Sequence, residues 1–312
     1  ASLLGRIGQV AANYPQQFWL LFWGTLINAA GGFVVWPFMT IWVRRQLEVS
    51  LTTATLLLTL YSVTGLLATT IAGPIVDRVG RKGVMVLSLA AVGATLAAMS
   101  TANTLYLWAA LMAINGAFSP LYRVGCNSMV ADLVAPARRA GAFALLRMIV
   151  NLGVAIGASL GGFLAATSYV LAFCTAAGAY AAFALLILFF VRETIPRRPD
   201  GPAQRPGNGG YGPLLRDRPF LAFCGVYSLS VAAYSLFMVL LPPYTRESFD
   251  LPESRYGFIP AANAAMVVLF QYAITRAAES RPRLLVLAIG SLFYVLGVGS
   301  VAHGWNFATF LG

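Results

Sequence analysis

Charged residues are scarce in this sequence. They make up 10% of its 312 residues, whereas hydrophobic residues make up 59% and the mean hydropathy is +0.77. Soluble domains carry roughly a quarter charged residues, so this composition excludes a soluble core. The apolar runs reach the length of about 20 residues that a membrane-spanning helix needs, and the short alternating segments of a membrane barrel are missing. The chain is therefore expected to be an all-α integral membrane protein.

Residue types that support catalysis and metal binding are equally rare. The single histidine is His303, and all three cysteines lie in apolar runs, which indicates neither a metal site nor a disulfide framework. The sequence has no phosphate-binding glycine loop and no cluster of nucleophile, base and acid. We expect no cofactor, no direct use of ATP and no enzyme activity. No cleavable signal peptide is recognisable before the first long apolar run.

The net charge of +11 would also fit a nucleic-acid-binding protein, but the placement of the basic residues favours another reason. Most of them stand in short segments between apolar runs, as the positive-inside rule describes. With a cytoplasmic N-terminus, the inside segments hold 15 Lys and Arg residues and the outside loops hold 4. We therefore expect a multi-pass protein of the cell membrane with its N-terminus in the cytoplasm, in contact with lipids and with no nucleic-acid partner.

Nine spans are predicted, with tight turns at Ala102–Asn103 and Thr167–Ser168. Residues 305–312 would begin a tenth span. The predicted spans are Phe18–Val43, Thr52–Val76, Gly83–Thr101, Leu105–Ala131, Ala140–Ala166, Tyr169–Val191, Phe220–Tyr244, Tyr256–Thr275 and Leu284–Ala302.

A segment rich in Pro, Gly and Arg interrupts this pattern at residues 192–218 and includes PRRPDGPAQRPGNGG, which is typical of a flexible cytoplasmic linker. It separates a six-span unit, residues 1–191, from residues 219–312. The stretch PFMTIWVRRQLEVS (37–50) is faintly similar to PYTRESFDLPES (243–254). Together these features predict two six-helix bundles related by pseudo-two-fold symmetry, the second incomplete in this sequence.

A dense charge cluster stands in the turn after the second span, where the sequence reads GPIVDRVGRKG. Gly73 is small enough for another helix to approach, and Gly80 permits a tight turn. Asp77 would lie at a helix C-terminus, an unfavourable place beside the helix dipole, so Arg78 and Arg81 are expected to compensate its charge. This G-x-x-x-D-R-x-G-R-K pattern, between the second and third spans, resembles the signature loop of the major facilitator superfamily.

The resemblance extends over the whole chain and implies the major facilitator fold and a transporter that works by alternating access. In the family, the loop acts as a latch that holds the cytoplasmic sides of the two halves together while the cavity is open to the outside. The family also places an acid at the cytoplasmic end of the fourth helix. Asp132 matches this acid, and the resemblance makes Arg81 its expected partner.

Within the superfamily, the sequence resembles the drug:proton antiporters, with two departures. The fourth helix reads MAING where drug exporters carry R-x-x-Q-G, so Met112 stands at the place of the coupling arginine. The fifth helix reads G-A-S-L-G-G where antiporters carry G-P-x-x-G-G. The glycines Gly153, Gly157 and Gly161 are spaced four residues apart and predict a face for close helix packing.

Arg123 and Arg147 lie inside predicted spans. Arg123 is about 13 Å from Asp132 along the fourth helix, and Arg147 is about 12 Å from Arg139 along the fifth, so both lie near the middle of a ~30 Å hydrocarbon core. An arginine against lipid at that depth costs at least ~2.5 kcal/mol, so both are expected to face a wet cavity or a partner. A substrate or coupling role and a structural role, with backbone carbonyls as partners, both remain open.

Two asparagines belong to the same predicted cavity. Asn151 shares the face of Arg147 on the fifth helix, and Asn28 lies on the first helix where a proton-coupled exporter could hold an acid. No Asp or Glu stands in the middle of any predicted span. The predicted cavity is therefore net positive, which favours an anionic or zwitterionic substrate.

The leading hypothesis is a secondary active transporter that moves a small amphipathic molecule by alternating access, with proton-coupled efflux. The alternative is a transporter of organic anions or anionic lipids that uses Arg123 and Arg147 as an anion clamp. A membrane scaffold or sensor is disfavoured by the latch pattern and the two intramembrane arginines. We expect a monomer, with a small-molecule substrate and protons as its partners.

Overall fold

The computed structural model describes residues 14–194, 216–279, 281–301 and 304, and within these ranges it is helical with no strand. The first 13 residues, most of the predicted linker, His303 and the predicted start of a tenth span lie outside the described residues. A short helix, Glu253–Tyr256, precedes the eighth of nine long helices. These helices are α1 Gln16–Leu47, α2 Leu51–Val79, α3 Arg81–Met99, α4 Leu105–Leu133, α5 Pro136–Thr167, α6 Tyr169–Phe190, α7 Arg218–Phe249, α8 Phe258–Glu279 and α9 Arg283–Ser300.

The helices begin where short polar side chains can cap them. The side-chain oxygen of Ser50 accepts a hydrogen bond from the Thr53 N–H at 3.2 Å, and Ser168 accepts one from the Leu171 N–H at 3.4 Å. Such caps satisfy backbone donors that have no partner within the helix. Ser168 is also the whole connection between α5 and α6, as the sequence predicts.

Each of the nine predicted spans corresponds to a helix. Seven of the described helices, α1 to α7, have the length and hydropathy of a membrane span. The helix α8 is not among these seven, and the apolar part of α9, Leu285–Ser300, is shorter than 18 residues. The prediction of helices at these two positions is confirmed, but by length and composition only the first seven qualify as spans.

The helices α1 and α7 end in the same way. The structure holds two non-glycine residues with a positive φ among those described, Glu48 at 51° and Asp250 at 52°. Each is the left-handed residue that terminates its helix. They lie in the two stretches whose sequences are faintly similar, so the backbone repeats in the second half a feature of the first, as an internal duplication would produce.

Glycines let α1 and α5 pack closely. A Cβ atom added to Gly157 would lie 2.3 Å from the carbonyl oxygen of Ala30, and one added to Gly161 would lie 2.3 Å from that of Val34. Gly153 faces Ala29 in the same way, at 2.6 Å. The predicted packing face of α5 therefore lies against α1, and larger residues there would force the two helices apart.

The first and second halves meet mainly at one end of the bundle. An apolar cluster there joins residues of α1, α5 and α6 to residues of α7 and the short helix. The helix α5 continues this contact, since a Cβ on Gly162 would lie 2.5 Å from the carbonyl oxygen of Glu253. We call this end the Glu253 end, and the opposite end, where α2 and α3 join at Gly80, the motif end. Over residues 218–236, α7 is largely exposed.

Candidate functional site

A cavity of about 700 Å³ lies in the first half of the molecule, in the size range of small-molecule sites. All of its lining residues belong to α1–α6. Its polar and charged lining residues are Thr25, Asn28, Tyr61, Asn115, Ser119, Tyr122, Arg123, Asn127, Arg147 and Tyr180, and its larger apolar ones include Phe33, Trp36, Met39, Leu96, Met112 and Phe143.

Most of the neutral polar groups around this cavity bind one another. The hydroxyls of Thr25 and Tyr122 are 2.8 Å apart, which joins α1 to α4. The side-chain amide of Asn115 donates to Thr95 Oγ1 at 2.7 Å, which joins α4 to α3. Because buried polar groups are costly without partners, these pairs stabilise the wall of the cavity.

The two intramembrane arginines differ from these neutral groups. Arg123 and Arg147 both line the cavity with exposed side chains. Neither guanidinium has an ion-pair or hydrogen-bond partner within residues 14–194, 216–279 and 281–301. Asn28 lines the same cavity, but Asn151 does not, because the turn of α5 between Arg147 and Asn151 carries it off the lining. The expectation that Asn151 belongs to the cavity is therefore not supported by the geometry.

At the motif end, a sharp turn joins α2 to α3. Gly80 has φ 112° and ψ 144°, a conformation that residues with a Cβ rarely adopt, and it forms both the end of α2 and the start of α3. The two helices can therefore follow one another with a single residue between them. This places Arg81 in the first turn of α3 and Asp77 in the last turn of α2.

Arg81 stands between two carboxylates. Its Nε lies 2.9 Å from Asp132 Oδ2, close enough for an ion pair although the N–H is not aligned for a hydrogen bond. Its Nη2 lies 3.7 Å from Asp77 Oδ1. Asp77 is 69% exposed and Asp132 28%, so the contact with Asp132 is less screened by solvent. Arg78, in contrast, is exposed and has no ion-pair partner among the described residues.

The segment after α6 completes this network with residues that sequence reasoning missed. The Glu193 carboxylate accepts hydrogen bonds from the backbone N–H groups of Arg81 and Lys82, at 3.2 and 3.0 Å. A carboxylate is favourable at the positive end of the helix dipole and satisfies free N–H groups there. Thr194 donates to Asp132 Oδ2 at 3.0 Å. The end of α6 is therefore tied to both α3 and α4.

One motif residue lacks the neighbour that the sequence predicts. A Cβ added to Gly73 would meet nothing within 4 Å among the described atoms. The described part of the chain therefore gives no close helix contact at Gly73, and the expected packing role has no counterpart there. Its position, seven residues before Gly80, places it on α2 near the motif end.

The Glu253 end carries a second charged network, and this one links the two halves. Glu253 is 7% exposed, and its Oε1 accepts a hydrogen bond from Tyr169 at 2.9 Å. Arg45 Nη2 of α1 lies 3.2 Å from the same oxygen and Arg246 Nε of α7 lies 4.0 Å from it. Arg44 of α1 also pairs with Glu247 of α7. Four segments of the chain therefore converge on two carboxylates.

Sequence reasoning missed the role of this second network. Arg44, Arg45 and Arg246 count among the few basic residues outside the predicted cytoplasmic segments, and they lie in the two stretches that are similar in sequence. Basic residues on the side where they are disfavoured, each near an acidic residue of the other stretch, are the signal that could have identified the pairing.

Membrane-length helices that enclose a polar, positively charged cavity, with charged contacts at each end, are the construction of a membrane transporter. The Major Facilitator Superfamily matches residues 21–312, and the chain belongs to that family. It is a multi-pass membrane transporter and not an enzyme.

Curated relatives share about a quarter of their residues with this chain. The "uncharacterized MFS-type transporter YttB" of Bacillus subtilis is 27% identical over 304 residues, which covers 95% of this chain and 75% of YttB. The Na(+), Li(+), K(+)/H(+) antiporter of Planococcus maritimus is 24% identical over 85% of this chain and 69% of its own length. Multidrug resistance protein MdtH of an Enterobacter species is 25% identical over 90% and 68%.

Solved structures agree on the fold. A POT family transporter in complex with 5-aminolevulinic acid superposes with a TM-score of 0.69 at 15% identity, covering 95% of this chain and 79% of that transporter. A POT family transporter in complex with a thioalcohol-conjugated peptide gives 0.66 at 15% identity, covering 95% and 80%. At this identity the likeness concerns the architecture alone.

Proposed function

We propose that this chain moves a small amphipathic molecule across the membrane by alternating access, as a secondary active transporter that exports its substrate in exchange for protons. The observation that carries the proposal is the cavity of about 700 Å³ in the first half, together with ion pairs and apolar contacts that join the two halves at the Glu253 end. A cavity that is sealed at one end is what one of two alternating states requires.

The motif end supports the same reading from the other side. The charged groups of that network lie on α2, α3, α4 and the segment after α6, all in the first half. The first part of α7, residues 218–236, is largely exposed there. This arrangement fits a state in which the cavity faces the motif end, and the motif network would join the halves in the opposite state.

Proton exchange is supported by relatives and not by a carboxylate in the cavity. One relative is named a Na(+), Li(+), K(+)/H(+) antiporter and another a multidrug resistance protein. The cavity-lining residues include no Asp or Glu. A second candidate function, transport of an organic anion or anionic lipid, is favoured by the two unpartnered arginines, Arg123 and Arg147.

Transport is tested in proteoliposomes with three tritiated probes that differ only in their charged end, namely phenylhexanoate, phenylhexanol and phenylhexylamine. We expect uptake of at least one probe that needs the protein and that changes when a pH gradient is imposed. Empty liposomes give the passive rate for each probe. Equal uptake with and without protein for all three would contradict the proposal.

The orientation is part of the proposal. We place the motif end and residues 192–219 in the cytoplasm and the loop from Arg246 to Arg255 outside, because basic residues are concentrated in the former segments. Protease added to inside-out vesicles should cut within residues 192–219 and spare that loop. The reverse pattern would overturn the orientation while leaving the transport proposal standing.

A further inference from the structure

We infer that the cavity binds an amphiphilic organic anion in one orientation, with its acid group between Arg123 and Arg147 and its apolar body toward Trp36 and Tyr61. This inference rests on the proposed function, because it names the substrate class of the same cavity. It goes further in assigning two separate subsites, each with its own chemistry.

The arginines and the aromatic residues lie at different depths. Arg147 is eight residues from Arg139 at the start of its helical segment, and Arg123 is ten residues from the end of α4, which places them about 12 and 15 Å from the motif end at 1.5 Å per residue. By the same measure, Trp36 on α1 and Tyr61 on α2 lie about 30 and 27 Å from it. The two sets are therefore separated by roughly 12–18 Å along the bundle axis.

The deeper subsite is apolar and aromatic. The rings of Trp36 and Tyr61 are in contact, with centroids 4.7 Å apart at an angle of 50°. The Tyr61 hydroxyl donates to Ser119 Oγ at 3.3 Å, which satisfies its polar group and leaves the ring faces for a ligand. The remaining lining residues of this region are Val35, Met39, Val92, Leu96 and Met112. A flat or flexible apolar group gains free energy by leaving water for such a surface.

The shallower subsite is cationic and lacks its counter-charge. Arg123 and Arg147 have no partner among the described residues, and no carboxylate lines the cavity. Asn127, one turn from Arg123, adds a neutral polar group beside them. Two guanidinium groups in a low-dielectric cavity repel one another, and an anion between them relieves that repulsion. The planar guanidinium suits a carboxylate, sulfonate or phosphate, because it can donate two parallel hydrogen bonds.

A lipophilic cation fits this arrangement poorly. Its apolar part could occupy the aromatic subsite, but its charge would then face the two arginines, and like charges in such a site cost free energy. A neutral amphiphile would leave the guanidinium groups without the anion that they favour. The charge of the ligand therefore decides its affinity, and its apolar length decides how far it reaches toward Trp36.

The test measures binding to the purified protein in nanodiscs of phosphatidylcholine by isothermal titration of phenylhexanoate, phenylhexanol and phenylhexylamine. We expect phenylhexanoate to bind at least about tenfold more tightly than the other two, a difference of about 1.4 kcal/mol. Arg123→Gln and Arg147→Gln should each remove most of that preference. Arg123→Lys and Arg147→Lys should weaken binding severalfold although they keep the charge, because lysine cannot bind bidentately.

The two subsites are separated by a second set of variants. Trp36→Ala should weaken phenylhexanoate but preserve its preference over phenylhexylamine, whereas Arg147→Gln should remove the preference and preserve the gain from the phenyl group. Arg218→Gln, at the start of α7 and outside the cavity lining, is the matched control and should bind as the wild type does. Circular dichroism of every variant establishes that it is folded.

The source of the anion is tested in the same assay. Nanodiscs that contain phosphatidylglycerol should reduce phenylhexanoate binding if the acid belongs to a lipid headgroup, and should leave it unchanged if the substrate is a free organic acid. Both results support the anion site and assign its source.

Equal affinity for phenylhexanoate and phenylhexylamine in the wild type would overturn the inference. So would unchanged phenylhexanoate binding in folded Arg123→Gln and Arg147→Gln variants. Because these are binding measurements, they separate the inference from the proposed function. Anion-selective binding without transport would contradict the transport proposal alone, and transport of phenylhexylamine that ignores both arginines would contradict the inference alone.

Discussion

The charged networks at the two ends of the bundle use the same chemistry in different settings. At the motif end, Arg81 lies between Asp77 and Asp132, and all three belong to the first half. At the Glu253 end, the pairs run from one half to the other, and the central carboxylate of Glu253 is 7% exposed. Partners in different halves separate when the halves move apart, whereas partners in one half can stay together.

This difference assigns the two ends distinct tasks in the proposed cycle. Opening the Glu253 end requires that Glu253 and Glu247 lose the arginines of α1, since the acids lie in the second half and those arginines in the first. Opening the motif end breaks none of the described ion pairs. The network at the motif end therefore shapes a surface for the second half to contact, while the network at the Glu253 end makes the contact itself.

The largest expected effect comes from a covalent link across the Glu253 end. Arg44→Cys combined with Glu247→Cys, in a chain whose Cys126, Cys174 and Cys224 are replaced by Ala, puts two thiols where an ion pair now joins the halves. Oxidation should abolish transport of a probe that the wild type carries, and reduction should restore it, because alternating access needs this end to open. The single-cysteine variants are the controls. Full transport by the cross-linked protein would show that this end does not move.

The next largest effect is expected from Glu253→Gln. The change removes the charge that Arg45 and Arg246 share, and it weakens the acceptor for Tyr169. Because both arginines are partly exposed, we expect a loss of about 2 kcal/mol in stability and not the larger cost of stranding a fully buried charge. Thermal unfolding in detergent measures the loss.

The matched control for that variant is Glu247→Gln. Its side chain is 51% exposed, so its pairing with Arg44 should contribute less than about 1 kcal/mol. If both variants unfold at the same temperature, burial is not what distinguishes Glu253, and the comparison of the two ends fails on this point.

At the motif end, Asp132→Asn should lower transport more than Asp77→Asn does. Asp132 is closer to Arg81 and more buried, and it also accepts a hydrogen bond from Thr194. A reduction of about tenfold for Asp132→Asn, and of a few-fold for Asp77→Asn, corresponds to a change of about 1–1.5 kcal/mol in one conformational state. Expression and probe affinity should stay near the wild-type values. Normal initial rates for both variants in proteoliposomes would remove the latch role.

The smallest effect is expected from Glu193→Gln. The amide can still accept a hydrogen bond from the first turn of α3, but it loses the favourable interaction of a charge with the helix dipole. We expect a loss of about 0.5–1 kcal/mol in thermal stability at low ionic strength. In 1 M salt, where the screening length is about 3 Å, the difference from the wild type should nearly vanish. A difference that is independent of salt would mean that the dipole is not its cause.

The sequence predicted the helices well because their signals are local. Apolar runs of membrane length mark the spans, and single residues such as Ser168 and Gly80 mark the turns. The place of Arg81 next to Asp132 rested on the resemblance to the family, because 51 residues separate the two in sequence and no local pattern joins them. The roles proposed for Arg123, Arg147 and Asn28 are still predictions, although all three line one cavity.

Other parts of the site lay beyond local signals. Asn151 shares a helical face with Arg147, but a cavity covers only part of such a face, and the packing of neighbouring helices decides which part. Gly73 matches the motif without a described neighbour, since the residue type fits a close contact but does not supply one. Glu193 and Glu253 carry no motif, and they gain their roles from segments far away in the chain.

By itself, the sequence determined that this protein spans a membrane as a bundle of helices and that it belongs among transporters. Hydrophobicity, helix caps and a glycine that can adopt a positive φ act within a few residues of one another, so a linear reading captures them. The tertiary structure alone decided that Glu253 joins the halves and that Glu193 caps α3. Ion pairs and caps between distant segments depend on distances that only the packed helices set, and electrostatic energy falls off with those distances.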